Sequence, residues 1–415
     1  MRQLQQVHSI EQAIEVFLSH LAPVAAVEQV PLLMAVGRVL AGEVRSSEPL
    51  PGFHRSTMDG YAVHSRETAG ASESLPTLLT LHPETLIGEA ALTPLPRGSA
   101  APISTGAALP AGADAVVMVE YCERFDQQTV AVGRPVAPLE NVVRPGEDIA
   151  LGAAVLSCGR VITPGDVGAL AALGIGQVGV WKRPKVIIFA TGNELVGTAT
   201  QPGPGQVRDI NSYLLAAQIN RLGGVAEIRG ILPDVEESIY QALSSALEES
   251  ADLLVLSGGS SLGIYDLSER VLNRLGQPGV LVHGLAMKPG KPTLLAVAEG
   301  KGCIGFPGHP LSALMTGEAL LPAVISHLAH SPLPVRRAVL GELTKSIASQ
   351  VGRTEFVQVQ LQSGEDGYRA VPLQSKSAII SAAAKADGYV ILEQGSEGRA
   401  VGEQVEVHLW RDIHG

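Results

Sequence analysis

The strongest constraint on the fold is an alternation of strand and helix patterns between residues 182 and 330. Continuous apolar segments such as VIIFA (186–190) and DLLVL (252–256) are typical of strands that are buried on both faces of a sheet. Amphipathic segments such as EESIYQALSSALEES (236–250) separate them. Strands that alternate with helices in this way form a parallel sheet covered on both faces. We therefore predict a three-layer parallel α/β domain at 182–330.

The remainder of the chain has a different texture. Short apolar runs separated by Gly and Pro predict a β-rich insert at 51–140. The segments 1–50 and 141–181, on either side of it, are predicted to join as one discontinuous N-terminal domain. Strand-like runs after residue 331 predict a C-terminal β domain at 331–415. The fold class is thus multi-domain, α/β plus β.

Composition excludes several classes of protein. Hydrophobic residues make up 46% of the 415 residues and charged residues 17%, the reverse of a disordered chain. A formal net charge of −11 argues against wrapping nucleic acid through a global positive field. No apolar run reaches the roughly 18 residues of a membrane span, and the N-terminus lacks the apolar core of a signal peptide. The three cysteines are far apart, which fits a reducing compartment, so we expect a cytoplasmic protein without a membrane or nucleic-acid partner.

Ligands of open parallel sheets bind beyond the carboxyl ends of the strands, so the loops there identify a candidate site. Small residues in SGGSS would let backbone N–H groups approach an anion. Two lysines around a Pro-Gly turn suit a phosphate or another oxyanion, and acids at neighbouring loop tips suit Mg²⁺. The candidate residues at these loops are Glu194, Asp234, Ser257, Gly258, Gly259, Ser260, Asp266, Lys288 and Lys291.

Each of these features also has a structural interpretation. SGGSS is a common strand-to-helix turn, and paired lysines in a loop are usually solvated. An acid after a strand most often caps a helix. His309 between glycine and proline is interpreted as a turn residue, and Cys303 as part of the core. The functional interpretation depends on several loops meeting at one edge of the sheet.

Eight motifs, in this order, resemble those of the molybdopterin molybdenumtransferases, a family to which the C-terminal region of gephyrin also belongs. They are PGFHRSTMDGYAV, ISTGAALPAGADAVVMVE, VRPGEDI, ATGNEL, SGGSSLGIYD, MKPGKP, GFPGHPLSA and GRTEF. The resemblance covers nearly the whole chain and has the same four-domain layout. MDGYAV, KPGKP and PGHP are specific as an ordered set.

The resemblance implies an enzyme of molybdenum-cofactor synthesis. Such enzymes insert molybdenum from molybdate into adenylylated molybdopterin and release AMP with the help of a divalent cation, usually Mg²⁺. It also implies a homodimer, and as further partners the molybdopterin adenylyltransferase and recipient molybdoenzymes. Matching positions give catalytic candidates and residues that bind cofactor or oxyanion, with Glu194, Asp234 and Asp266 as metal ligands. The catalytic candidates are Asp59, Thr105, Asp148, Glu194, Asp234 and Asp266; the further binding candidates are Lys288, Lys291, Pro310, Arg353 and Ser377.

This chain departs from the family pattern at several positions. Asn193 stands where family members carry Asp, which removes a negative charge beside Glu194. His309 stands where they carry Asn, and Lys376-Ser377 where they carry Gly-Ser. His54-Arg55 replaces Asp-Asn or a similar pair. These changes predict a weaker cation site and a tighter anion site.

Two alternatives remain at the level of the sequence. The first is a diverged, non-catalytic member that acts as a dimeric cofactor-binding scaffold or maturation chaperone. The survival of Asp59, Glu194, Asp234 and Asp266 favours chemistry over this alternative. The second is a nucleotidyltransferase, because the α/β domain resembles the adenylating partner of the same pathway. That alternative leaves the MDGYA and GRTEF regions without a role.

Overall fold

The structure is a computed structural model that describes residues 7–89, 93–258, 262–364, 367–373 and 376–411. The chain divides into two compact units. One consists of Met1–Glu28 with Trp181–Gly415, and the other of Gln29–Val180. The first unit is therefore built from two stretches of chain.

A six-stranded sheet forms the centre of the first unit. Its strands, in spatial order, are Val225–Leu232, Lys185–Thr191, Leu253–Gly258, Lys301–Phe306, Leu294–Ala298 and Pro278–His283. The first four are parallel, which confirms the predicted α/β core, but Leu294–Ala298 runs antiparallel to both of its neighbours, Lys301–Phe306 and Pro278–His283. The reason is the two-residue turn Glu299-Gly300, whose φ values of 50° and 80° are those of a tight hairpin. A turn this short cannot connect parallel strands.

Helices cover both faces of this sheet, as predicted. On one face, α1 (Ile10–Leu18), α3 (Asn211–Arg221) and α6 (Pro310–Leu328) pack against Val186 and Ile188. On the other face, α4 (Glu236–Glu248) and α5 (Leu262–Leu275) pack against Ile187 and Phe189. Alternate residues of the strand Lys185–Thr191 are thus buried in two different cores, which explains why its sequence is continuously apolar. Of the described helices, α6 is long and apolar enough to cross a membrane, and most of it is buried in this core.

The position of α1 differs from the predicted grouping of residues 1–50 with 141–181. Ile10, Ala13 and Phe17 are buried in the core of the α/β sheet. The capping box of Ser9 and Gln12 begins the helix as its sequence predicts. Its amphipathic pattern could not show which sheet the apolar face would cover. The other predicted domain boundaries stay predictions.

The C-terminal strands close on themselves. Their order is Met287–Lys288, Thr354–Gly364, Gly367–Pro372, Ala338–Leu343, Gln404–Leu409 and Gly388–Leu392. Thr354–Gly364 also pairs with Gly388–Leu392, so five strands form a ring around buried Leu343, Val359 and Val407. The short helix α7 (Ser381–Lys385) and the pair Ile347–Ala348 with Gly398–Arg399 flank it. Met287–Lys288, from the KPGKP segment, joins this sheet in parallel.

The second unit contains another six-stranded sheet and the helix α2 (Pro164–Ala172). The strands of its sheet, in spatial order, are Ala115–Met118, Gly60–Val63, Ser99–Ile103, Thr77–Leu81, Thr129–Val132 and Cys122–Arg124. Two small strand pairs join distant parts of the unit: Val44–Arg45 with Ala154–Leu156, and Arg55–Ser56 with Val142–Val143. The last four residues of the MDGYAV motif form its strand Gly60–Val63, and Asp59 directly precedes that strand.

Candidate anion-binding site

A cavity of about 1150 Å³ lies between the loops at the sheet edge and the C-terminal strands of the same unit. Four cationic side chains and one carboxylate line it, together with polar and apolar groups. The charged lining residues are Lys288, Lys291, Arg353, Glu355 and Lys376. A cavity with this excess of positive charge, in a chain of net charge −11, is suited to an anion.

Lys288 is held by a carboxylate that the sequence analysis did not identify. Its Nζ donates to Oε1 of Glu355 at 2.6 Å. The two residues are direct neighbours in the parallel pairing of Met287–Lys288 with Thr354–Gly364. Glu355 is 6% exposed, whereas half of the Lys288 side chain is accessible. The lysine therefore reaches from a buried counter-ion toward the cavity.

The other three cations have their charge available. Within the described ranges, Lys291, Arg353 and Lys376 form no ion pair. The Nε atom of Arg353 is buried and has no hydrogen-bond partner among the described residues. A buried guanidinium N–H without an acceptor is costly, and a bound oxyanion would supply that acceptor.

The start of α6 forms one wall of the cavity. Pro310 occupies the first turn of this 19-residue helix, where its missing N–H costs nothing. His309 precedes it, and its Nδ1 lies 3.0 Å from Oγ of Ser377. The Leu311 amide donates to the Ser377 carbonyl at 3.1 Å. The structure thus brings the predicted residues Pro310 and Ser377 together. His309 lies in the bend before α6, as expected for a turn residue, and has a polar contact there as well.

Asn211 joins two loops at the carboxyl edge of the sheet. Its Nδ2 donates to Oγ of Ser257 and to the Gly308 carbonyl, both at 2.9 Å. Gly258 passes so close to the next strand that an added Cβ would lie 2.2 Å from the Thr191 carbonyl oxygen. These contacts fix the beginning of the SGGSS segment. The predicted residues Gly259 and Ser260 lie outside the described residues.

The predicted metal ligands are only partly brought together. Asp234 accepts hydrogen bonds from Oγ1 of Thr191 at 2.6 Å and from the Asn193 amide at 3.2 Å. Glu194 is exposed on the same loop as Asn193. Asp266 was predicted at a loop tip, but the structure places it inside α5, because that helix begins at Leu262. The helix therefore begins one turn earlier than a loop position for Asp266 would require.

These donors do not fit a magnesium site made of protein alone. In the described part of the chain, no group of three or more His, Cys, Asp or Glu side chains is arranged to hold a metal ion. Mg²⁺ is often bound by one or two carboxylates, with waters and substrate phosphates completing its octahedron. Glu194 and Asp234 fit that second arrangement.

The remaining predicted residues lie in the second unit. Oδ1 of Asp59 accepts from the Thr105 amide at 2.7 Å and from the Thr105 hydroxyl at 3.0 Å. These two hydrogen bonds hold the pKa of Asp59 below its ordinary value. Asp59 is exposed, so its carboxylate stays ionised and accessible. Asp148 is exposed as well, and its amide donates to the Leu50 carbonyl.

Sequence reasoning did not identify two residues of the site, Glu355 and Asn211, and only Glu355 has a recognisable sequence pattern. Glu355 is an ionisable residue within the apolar strand pattern TEFVQV, and such a residue needs a partner when it is buried. Asn211 begins an amphipathic helix, where Asn is ordinary as a capping residue, so nothing distinguished it. Only the fold brings its amide between two loops.

Family models match three consecutive parts of the chain. Residues 8–174 match the MoeA N-terminal region (domain I and II), 187–327 a probable molybdopterin binding domain, and 341–410 the MoeA C-terminal region (domain IV). Together they cover most of the sequence, in the order that the motifs predicted.

Curated relatives and solved structures agree with these models. The molybdopterin molybdenumtransferase of Synechococcus elongatus is 32% identical over 96% of this chain and 98% of its own. That of Haemophilus influenzae is 31% identical over 98% and 100%. A crystal structure of a molybdopterin biosynthesis MoeA protein from Pyrococcus horikoshii has a TM-score of 0.80 at 30% identity, over 98% of this chain and 100% of that one. The chain therefore belongs to the molybdopterin molybdenumtransferase family.

Proposed function

We propose that this protein inserts molybdenum from molybdate into adenylylated molybdopterin, forming molybdenum cofactor and releasing AMP. The observation that carries the proposal is the cavity that is lined by four Lys and Arg side chains and a single carboxylate. Its location at the loops of the probable molybdopterin binding domain supports the same assignment. The reaction needs an oxyanion and a pterin phosphate in one place, and both are anions.

Molybdate is a tetrahedral dianion, and the cavity offers it matching donors. Lys291 and Lys376 supply ammonium groups, while Arg353 supplies a planar set of N–H donors suited to two oxygens. The Ser377 hydroxyl and the start of α6 add neutral donors nearby. We assign these groups to hold and orient the oxyanion.

The molybdopterin moiety is assigned to the adjacent sheet edge. Ser257 and Gly258 end a central parallel strand, and Gly308 lies at the loop before α6. Because Gly258 lacks a side chain, the chain can turn there directly against its neighbour. Backbone amides in such turns bind phosphate oxygens.

Glu194 and Asp234 are the residues that would hold Mg²⁺, with Asp266 as a further candidate. Bound there, the cation would neutralise charge on the substrate phosphates. The role of the two carboxylates is to keep negative charge at the edge of the loop. The Thr191 hydroxyl holds the Asp234 carboxylate in place through a hydrogen bond. The absence of an acid at position 193 favours weak affinity for the cation.

Asp59, Thr105 and Asp148 are assigned to the same reaction through a homodimer, in which the second unit of one subunit completes the site of its partner. Closed two-fold dimers are the commonest oligomers. We place the protein in the cytoplasm, with the molybdopterin adenylyltransferase and recipient molybdoenzymes as partners.

The test is AMP release from adenylylated molybdopterin on addition of molybdate. The parent protein should release AMP, and the Lys288→Ala/Lys291→Ala variant should do so poorly and bind molybdate more weakly by isothermal titration. Affinity should also fall as salt rises. The variant Lys182→Ala/Arg183→Ala removes the same charge from exposed positions outside the cavity and should behave as the parent. A parent protein that binds the pterin but releases no AMP would instead be a cofactor-binding scaffold.

A further inference from the structure

A carboxylate is an unexpected group to find in the wall of an anion site. Glu355 lines the cavity, and it lies directly across the sheet from Lys288. Its Oε1 accepts from Lys288 at 2.6 Å, and its Oε2 accepts from the Ser349 hydroxyl at 3.1 Å. Both carboxylate oxygens of Glu355 are therefore held, and moving the side chain of Glu355 or of Lys288 would break a hydrogen bond.

Because Glu355 is buried, its negative charge acts over a longer distance than the charge of an exposed carboxylate. The residue is 6% exposed, so water screens its negative charge poorly. An anion bound by Lys291, Arg353 and Lys376 would be attracted by the Lys288 ammonium and repelled by the carboxylate behind it. The ion pair as a whole then contributes little to anion affinity, although Lys288 alone would contribute much.

We propose that Glu355 is a positioning residue that limits the affinity of the cavity for free oxyanions. It aims Lys288 at the cavity and at the same time offsets the charge of that lysine. A tetrahedral dianion is then held by the three remaining cations and can exchange with solution. The inference rests on the proposed function, because it takes the cavity as the oxyanion site.

The test is equilibrium binding of sodium molybdate at low salt. Glu355→Gln keeps the shape and an acceptor for Lys288 but removes the negative charge. Binding should tighten by at least tenfold, since the removed carboxylate charge would repel both negative charges of the anion across an effective dielectric of about 20. The dependence of affinity on salt should become steeper, which a purely structural role of Glu355 would not produce.

Two controls separate charge from structure. Glu342→Gln removes the same charge from an exposed strand position outside the cavity and should leave affinity within about twofold of the parent. Ser349→Ala removes a hydrogen bond to Glu355 but leaves its charge, so it should not tighten binding. If Glu355→Gln unfolds, the comparison of Lys288→Gln with Lys288→Gln/Glu355→Gln gives the same test without an unpaired lysine, and the double variant should bind more tightly.

The outcomes distinguish this inference from the proposed function. If the parent binds molybdate and removal of the Glu355 charge leaves affinity unchanged or lowers it, the inference is wrong and the proposed function stands. If neither the parent nor the Glu355→Gln variant binds molybdate, the cavity is not the oxyanion site, and both are wrong.

Discussion

At the scale of single residues, two hydrogen-bond donors lower the pKa of the Asp59 carboxyl group. The Thr105 amide and hydroxyl both reach Oδ1, and the amide is the larger cause of the lowered pKa. The other oxygen, Oδ2, points to no donor among the described residues. An exposed, ionised carboxylate with one oxygen held and one open can accept a proton or contact a substrate.

Thr105→Val removes the hydroxyl donor but keeps the amide. The pKa of Asp59 should therefore rise and still remain below its ordinary value, which the ¹³C chemical shift of the carboxyl group would report in a pH titration. Because the pKa is lowered on folding, the contribution of this pair to stability is present above the ordinary value and is lost as pH falls through the lowered one. Thr105→Ser keeps a hydroxyl and should titrate as the parent. An unchanged pKa in the Val variant would show that the hydroxyl does not stabilise the carboxylate.

Asn193 and Asp234 make a second residue-scale prediction. The backbone amide of each residue donates to the side-chain oxygen of the other. An acid at position 193 would therefore lie beside the Asp234 carboxylate. Two neighbouring carboxylates repel each other, and Mg²⁺ relieves that repulsion. Asn193→Asp should therefore lower the magnesium concentration at half-maximal AMP release. Asn220→Asp adds the same charge at an exposed position near the end of α3 and should leave this midpoint unchanged. An unchanged midpoint in Asn193→Asp itself would place residue 193 outside the cation site.

At the scale of elements, the packing of α3 against α6 depends on a glycine. A Cβ at Gly317 would lie 2.1 Å from Oε1 of Gln218. The amide of Gln218 cannot move away cheaply, because its Nε2 donates to the Leu314 carbonyl and to Oε1 of Glu318. The glycine thus lets two helices approach closely beneath the sheet edge that carries Ser257 and Gly308.

Gly317→Ala should lower the free energy of unfolding by about 1–3 kcal/mol, because overpacking outweighs the better helix propensity of alanine. Gly168→Ala is the matched control: this glycine lies in α2 with open space around its Cβ position, so alanine should stabilise by up to about 1 kcal/mol. Urea denaturation followed by circular dichroism measures both. Adding Gln218→Ala to Gly317→Ala should recover part of the loss. Equal effects at the two glycines would show that the contact with Gln218 does not matter.

At the scale of the whole molecule, the predicted catalytic residues are divided between two units. Asp59, Thr105 and Asp148 belong to Gln29–Val180, whereas Glu194 and the cavity belong to the other unit. The proposed homodimer assigns a set from each of two subunits to one site. A site of this kind can be tested by complementation between subunits.

Asp59→Asn and Glu194→Gln should each be nearly inactive alone. In a mixed dimer with shared sites, one site receives both intact acids and the other lacks both. Random exchange makes half of the dimers mixed, so roughly a quarter of the parental AMP release should return in the unseparated mixture, and about half in the purified mixed dimer. The two variants, with different tags, would be co-expressed and the mixed dimer purified. If each site lies within one chain, every subunit carries a lesion and the purified mixed dimer stays inactive.

Local sequence patterns specify the secondary-structure elements and the chemistry at their ends. Continuous apolar runs predicted the buried parallel strands, and the ordered motifs predicted the family, which the comparisons confirmed. These features follow from neighbouring residues, since side-chain period and turn chemistry are local properties. The KPGKP lysines were recognisable as anion-binding candidates for the same reason.

Contacts between distant residues depend on the complete fold and have no local signal in the sequence. Lys288 and Glu355 are 67 positions apart, and only strand pairing makes them neighbours. The assignment of α1 to the α/β core was likewise hidden, because an amphipathic helix shows that it has an apolar face but not which sheet the face covers. Strand register and helix docking depend on the packing of the complete core, so the sign and balance of charge in the cavity could be read only from the folded chain.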